Sequence, residues 1–323
     1  MQLRTRLSIT LFLLVPPGVP SALGQGNSNQ STSQTQTERS VAELATLRGV
    51  AEKGNAVAQY ELGSSYLSGS GVQQDYAEAA DWFKRAAEQG LAAAQFDLGY
   101  LYQEGKGVTK DYVASASYYG AAAEQGHPTA QNNLASLYGR GWGVPKNLSE
   151  AVRWYRAAAE HGDPIAQCNL ATAYLLGRGV RQDDKQAASW FLAAAQQGLP
   201  PAQNNLAFMY YTGRGVPRDY VKAAKWTRRA AEQGYALAET DLGYLYEQGK
   251  GVPLDYVAAC TWYSVGASGG DDRGIARLES LSSLMRPRDI ADAKRLALSY
   301  VLQRGKGSER FNADSKASML DQQ

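Results

Sequence analysis

The sequence predicts an all-α fold, a solenoid of stacked antiparallel helix pairs. Three observations carry that prediction. Glycines recur at Gly54, Gly90, Gly126, Gly162, Gly198, Gly234 and Gly270, a constant step of 36 residues, and repetition at such a period dictates the architecture. Each step holds two stretches of helical periodicity on either side of a G-x-G-V turn. One helix pair cannot bury its own apolar face, whereas abutting copies bury it against each other.

Taken in order, Met1–Gly24 has the three parts of a secretory signal. Arg4 and Arg6 form a basic start, Leu7–Val15 an apolar segment, and Ala22-Leu23-Gly24 a small-residue cleavage region. The apolar run falls short of the roughly 20 residues that span a bilayer, so no membrane span is expected in the mature chain. The cleavage region holds no cysteine for a lipid anchor. The expected location is therefore outside the cytoplasm, in the periplasm or secreted. Residues 25–40 (QGNSNQSTSQTQTERS) are polar and low in complexity, and are expected to be disordered. Residues 41–54 (VAELATLRGVAEKG) read as a lone second helix that caps the stack.

Six abutting copies follow, 55–90, 91–126, 127–162, 163–198, 199–234 and 235–270. With positions numbered from 1 to 36, Ala at 4, Leu at 8 and Tyr at 12 share one face of a first helix, A. In the second copy these are Ala94, Leu98 and Tyr102. The paired glycines, such as Gly105 and Gly107, turn the chain, and the valine that follows (Val108) points back to the core. Helix B opens at Asp75, Asp111, Asn147, Asp183, Asp219 and Asp255, all short acceptors favoured as N-caps. Position 28 carries Trp82, Trp154, Trp190, Trp226 and Trp262, with Tyr118 in the second copy. These rings are assigned to the core, and paired alanines behind them let helices approach closely. Residues 271–303 lose the G-x-G-V turn. Ile290, Ala293, Leu296, Ala297 and Val301 predict one further helix, opened by Asp289, as a C-terminal cap. Residues 304–323 are polar and expected to fray.

The repeat reads A-Q-x-x-L-G/A-x-x-Y-x-x-G-x-G-V-x-x-D-x-x-x-A-x-x-W-x-x-x-A-A-E-Q-G. It resembles the Sel1-like repeat family, relatives of the tetratricopeptide repeats, over 55–270. The resemblance implies a right-handed superhelical α-solenoid and a non-enzymatic adaptor that binds other proteins. In bacteria it implies an exported protein of the envelope or the cell exterior. A special case is a periplasmic regulator bound to a sensor kinase domain. A cysteine-rich branch of the family is associated with penicillin binding, but it places two cysteines in each repeat, and this chain has two in all.

Chemistry is sparse. The chain carries 33 basic and 31 acidic residues, formally +2, and removal of Arg4 and Arg6 with the signal brings it to neutral. A neutral chain has no charge footprint for nucleic acid. Cys168 and Cys260 lie two repeats apart, too far for a disulfide. His127 and His161 have no ligand cluster around them, so no metal is expected. No cofactor motif and no nucleophile–base motif occurs. The competing enzymatic reading is a weak β-lactam- or peptidoglycan-directed hydrolase.

Candidate binding residues lie on helix A, opposite its core face, on the side that is concave in stacked pairs. Position 7 runs Glu61, Asp97, Asn133, Asn169, Asn205, Asp241, a polar ladder suited to an extended peptide backbone. Position 10 adds Tyr100, Phe208 and Tyr244 as aromatic anchors. Trp142, between Gly141 and Gly143, is expected to be exposed on its turn. Basic residues collect in the A–B loops, namely Lys106, Arg140, Lys146, Arg178, Arg181, Arg214, Arg218 and Lys250. They form either a solvated rim or a ridge for an acidic protein or envelope glycan.

Overall fold

The computed structural model describes residues 33–318. The signal segment 1–24, the first part of the polar leader and the last five residues lie outside the described residues. Among the described residues there are fifteen helices and no strand. They fall into two compact units.

The first unit holds residues 33–166 with Arg178–Val180. It starts with α1 (Ser33–Glu52) and continues through three pairs: α2 (Ala56–Ser68) with α3 (Tyr76–Glu88), α4 (Ala92–Glu104) with α5 (Tyr112–Glu124), and α6 (Pro128–Arg140) with α7 (Leu148–Glu160). Each helix A packs on its own helix B and on the helix before it. The second unit holds Gln167–Gly177 and residues from Arg181 onward. It contains most of α8 (Pro164–Leu176), then α9 (Asp184–Gln196), α10 (Pro200–Thr212), α11 (Tyr220–Glu232), α12 (Ala236–Gln248) and α13 (Tyr256–Ser268), and closes with α14 (Asp272–Ser282) and α15 (Pro287–Ser318).

Local sequence explains the boundaries. Asp75 Oδ1 accepts from the Ala77 and Glu78 N–H groups at 2.8 and 3.1 Å, and side-chain caps of this kind open α5, α7, α9, α11 and α13 as well. An exposed N-cap of this sort is worth about 1 kcal/mol. Helix A ends where the first loop glycine turns left-handed, as Gly105 does at φ 71°. The second glycine answers a different demand. A Cβ on Gly107 would overlap the Tyr76 carbonyl of the preceding repeat, while Gly71, in the first repeat, faces open space.

The centre of each helix B is position 29. Phe83, Tyr119, Phe191 and Tyr263 are fully buried there, and Thr227 takes the place in the fifth repeat. The ring lies against position 9 of helix A. A Cβ on Gly99 would come within 2.8 Å of the Tyr119 ring, and on Gly63 within 2.7 Å of Phe83. The glycine at position 9 of these repeats thus leaves clearance for the ring. The tryptophans at position 28 sit nearer the edge of the core. Trp82, Trp154 and Trp262 are buried, and Trp190 and Trp226 half-buried. Arg85, Arg153 and Arg229 cover Trp82, Trp154 and Trp226 at 4.3, 4.2 and 4.7 Å.

The ends differ from the sequence expectation. Helix α1 begins at Ser33, inside the stretch expected to be disordered. No Pro or Gly interrupts Ser33–Glu52 except Gly49, so a helix nucleated in the packed part can propagate backwards. The C-terminal cap is two helices. Asp271 caps α14 through the Arg273 N–H, and Pro287, preset for a first helical position, starts α15 two residues before the expected Asp289. Helix α15 runs to Ser318, through residues expected to fray. Ala293 and Ala297 are its buried face.

Candidate binding surfaces

Position 7 is not an open ladder. Asp97 is 1% exposed, Asn133 2%, Asn169 6%, Asn205 9% and Asp241 3%. Each helix A is flanked by two other helices, so the row that periodicity assigns to the open side is covered. Only Glu61, in the first copy, is exposed.

The two buried carboxylates of that row face different partners. Asp241 accepts from Asn204 Nδ2 at 3.1 Å and pairs with Arg273 at 3.1 Å. Arg273 also holds Asp271 at 2.7 Å and the Leu237 carbonyl at 3.2 Å. Burial pushes the Asp241 carboxyl up to about 6, against the pull of Arg273 and Asn204. Asp97 has the Tyr60 hydroxyl in place of such a cation, and burial raises it to about 7. Among the other amides, Asn133 faces Tyr119 and Asn205 faces the Cys168 thiol, whose burial pushes it up to about 12.

Position 10 does reach solvent. Tyr100, Phe208 and Tyr244 are half-buried. The Tyr100 hydroxyl accepts from Lys106 Nζ at 3.3 Å. Tyr244 has Arg277 over its ring at 5.1 Å and Tyr211 beside it at 6.3 Å. Phe208 packs on the core cluster around Phe191.

Trp142 is 38% exposed but folded down. It packs on Tyr112 with ring centroids 4.8 Å apart and planes tilted by 35°, and Arg140 lies over it at 4.3 Å. Its position between the two glycines covers position 22 of the preceding repeat, and other copies do the same with other chemistry. Lys106 lies over Tyr76 at 5.7 Å, Arg214 pairs with Asp184 at 2.7 Å, and Lys250 lies over Tyr220 at 5.3 Å. Each pair is 30 residues apart. Lys106, Arg214 and Lys250 are therefore engaged with the repeat before them and Arg140 covers Trp142 of its own repeat, while Lys146, Arg178, Arg181 and Arg218 are exposed.

A second set of ties at the same spacing joins glutamines. Gln89 donates to Gln59, Gln125 to Gln95, Gln197 to Gln167 and Gln233 to Gln203, at 2.7–2.9 Å. These glutamines are the Q of A-Q and of E-Q-G in the repeat pattern. Their pairing is visible in the sequence as a Gln at position 5 with a Gln at position 35. His127, at a helix start, is the N-cap of α6. Its Nδ1 accepts from the Ala130 N–H at 3.2 Å, its ring stacks on Phe96 at 4.7 Å, and burial lowers its pKa. Cys168 and Cys260 are both buried. No described helix is long and apolar enough to cross a membrane.

Comparison with known proteins gives a consistent answer. The Sel1 repeat matches at residues 56–91, 92–127, 128–163, 164–199, 200–235 and 236–271. The crystal structure of c5321, a protective antigen of uropathogenic Escherichia coli with an SLR fold, is 36% identical with TM-score 0.72. The alignment covers 82% of this chain and 56% of that one, so this chain spans little more than half of the antigen's length. A Sel1 repeat protein from Oxalobacter formigenes is 35% identical with TM-score 0.62, over 71% of this chain and 99% of that chain. No match is found among curated proteins. Sel1 repeats form interaction scaffolds that usually bind other proteins and are generally non-catalytic. By its six matched repeats and the matching helix pairs, the chain belongs to the Sel1 repeat family.

Proposed function

We propose that this protein is an exported, non-enzymatic scaffold that holds a partner protein through solvent-facing positions of its A helices. The observation that carries the reading is the half-exposed row at position 10. Tyr100 and Tyr244 present rings there with a cation beside them, Lys106 and Arg277, and Phe208 presents an apolar ring. Half-exposed aromatic rings are the side chains enriched at the centres of protein interfaces. The basic, apolar and small-residue order of 1–24 supports export, and so does the likeness to a protein described as a protective antigen.

The test places a photo-activatable phenylalanine at Tyr100, Phe208 or Tyr244, and in parallel at Val113 or Val221 on the outer side of helix B. Val113 and Val221 are more than three-fifths exposed. Irradiation in the native envelope fraction should link one protein species from the A-helix sites and none from the B-helix sites. Equal yields from both would remove the A-helix surface as the binding face. Mass spectrometry of the same material should find an N-terminus near Gln25, and retention of Met1 would refute export by cleavage.

A further inference from the structure

The loops of the fifth and sixth repeats build a corner that differs from the others. Lys250 Nζ donates to the Tyr211 hydroxyl at 2.9 Å and lies over the Tyr211 and Tyr220 rings at 5.0 and 5.3 Å. Arg218 lies over the same Tyr220 ring at 5.6 Å. Tyr211 meets Tyr220 edge-on at 5.2 Å and continues to Tyr244 at 6.3 Å, where Arg277 covers the ring. Two cations thus share the Tyr220 ring, and a third stands over Tyr244.

The acids nearby are already engaged. Asp184 pairs with Arg214, and Asp219 caps α11 and pairs with Lys222 at 3.4 Å. Glu247 pairs with Arg277 at 3.5 Å and accepts from the Tyr263 hydroxyl. Arg218 and Lys250 have no carboxylate among the described residues. Ring quadrupoles hold both cations in place, but they do not neutralise them. Pre-positioned cations lose less side-chain entropy when an anion arrives.

We propose that this corner binds an acidic peptide segment of a partner protein, its carboxylates received by Arg218 and Lys250 and by the hydroxyls of Tyr211 and Tyr244. The exposed feature is charge, because the ring faces that a sugar would stack on are covered by Lys250, Arg218 and Arg277. That favours a carboxylate-rich peptide over a glycan. The corner adjoins Tyr244, so the proposal rests on the scaffold reading above and adds the chemistry of the partner.

The experiment titrates the intact protein with an end-capped octapeptide of alternating Asp and Gly, its Asn counterpart, and an oligomer of galacturonic acid. The Asp peptide should bind, with affinity falling as salt rises, and the Asn peptide should not. Lys250→Gln and Arg218→Gln should each weaken binding about fivefold, the loss expected for one exposed charge contact. Arg153→Gln, a charge change in the first unit, should leave it unchanged. Arg218 is exposed, so its variant keeps the test valid if Lys250→Gln disturbs folding. No binding of the Asp peptide, equal binding of the Asn peptide, or tighter binding of the uronic acid oligomer would overturn the proposal. Peptide binding without any cross-link at Tyr244 would instead overturn the scaffold reading and leave the corner standing.

Discussion

Gln125 Nε2 donates to Gln95 Oε1 at 2.8 Å, and Gln95 Nε2 donates in turn to the Ala87 carbonyl of the preceding repeat at 3.3 Å. One buried amide therefore fixes the end of its own helix B and the end of the helix B before it. The Gln203 amide repeats the arrangement with Gln233 and Ala195. A satisfied buried amide of this kind specifies register, because a displaced neighbour would leave it unpaired.

The third repeat breaks the chain of amides. His161 stands where the first, second, fourth and fifth copies have Gln, and its Nδ1 turns to the Ala157 carbonyl at 2.8 Å. Gln131 still holds the Ala123 carbonyl at 3.1 Å, but its Oε1 has no protein partner. His161→Gln should restore the donor and raise stability by about 1 kcal/mol, read as a shift in the denaturant midpoint at constant slope. The reverse change, Gln125→His, should cost a similar amount.

The buried Asp97 makes stability depend on pH. Its folded pKa of about 7 lies above the ordinary 3.8, so the folded state keeps a proton that the unfolded state releases. Below pH 3.8 both states are protonated and the effect vanishes. As pH rises toward 7 stability falls, and above 7 the loss is complete. Asp97→Asn imitates the protonated form. It should be neutral near pH 4 and stabilise by about 2–4 kcal/mol at pH 8. A variant that destabilises equally at both pH values would show that the carboxylate, and not its neutral form, is what the fold needs.

Two tryptophans separate core from loop. Trp154 is 9% exposed, and Trp154→Ala should cost about 3–5 kcal/mol. From the sequence, Trp142 on its glycine-flanked turn is expected to contribute almost nothing to stability. Its contacts with Tyr112 and Arg140 change that. Trp142→Ser should cost about 1 kcal/mol, and Trp142→Lys, which copies Lys106 over Tyr76, should recover part of it. Thermal melts of the four proteins check the order.

What the sequence disclosed divides along a physical line. The 36-residue step, the Asp75-type caps and the left-handed Gly105 depend on a few consecutive residues, and all were readable. The Gly99–Tyr119 clearance and the Gln95–Gln125 tie depend on where one helix lies against another. Position 7 was misplaced for the same reason. Helical spacing puts Asn133 opposite the core face, yet α6 is packed by α5 and by α7, and the side chain is enclosed. Trp142 stands out in the sequence, but the Tyr112 ring that it covers lies 30 residues earlier in another copy, where local spacing does not reveal it. The partner's chemistry lies further still, in which loop cations lack an acid.

The second, third, fifth and sixth 36-residue copies are each tied to the copy before by contacts at 30-residue spacings. Stability is then close to a sum over copies. The direct test deletes Leu91–Gly126 whole and compares it with deletion of residues 91–108, one helix and its turn. In the whole deletion Gln131 meets the Ala87 carbonyl in place of Ala123, and Trp142 meets Tyr76 in place of Tyr112. Circular dichroism and thermal melting should show a cooperative helical protein for the whole deletion, and loss of cooperativity for the half. Equal melting of the two, or collapse of the whole-repeat deletion alone, would contradict the account.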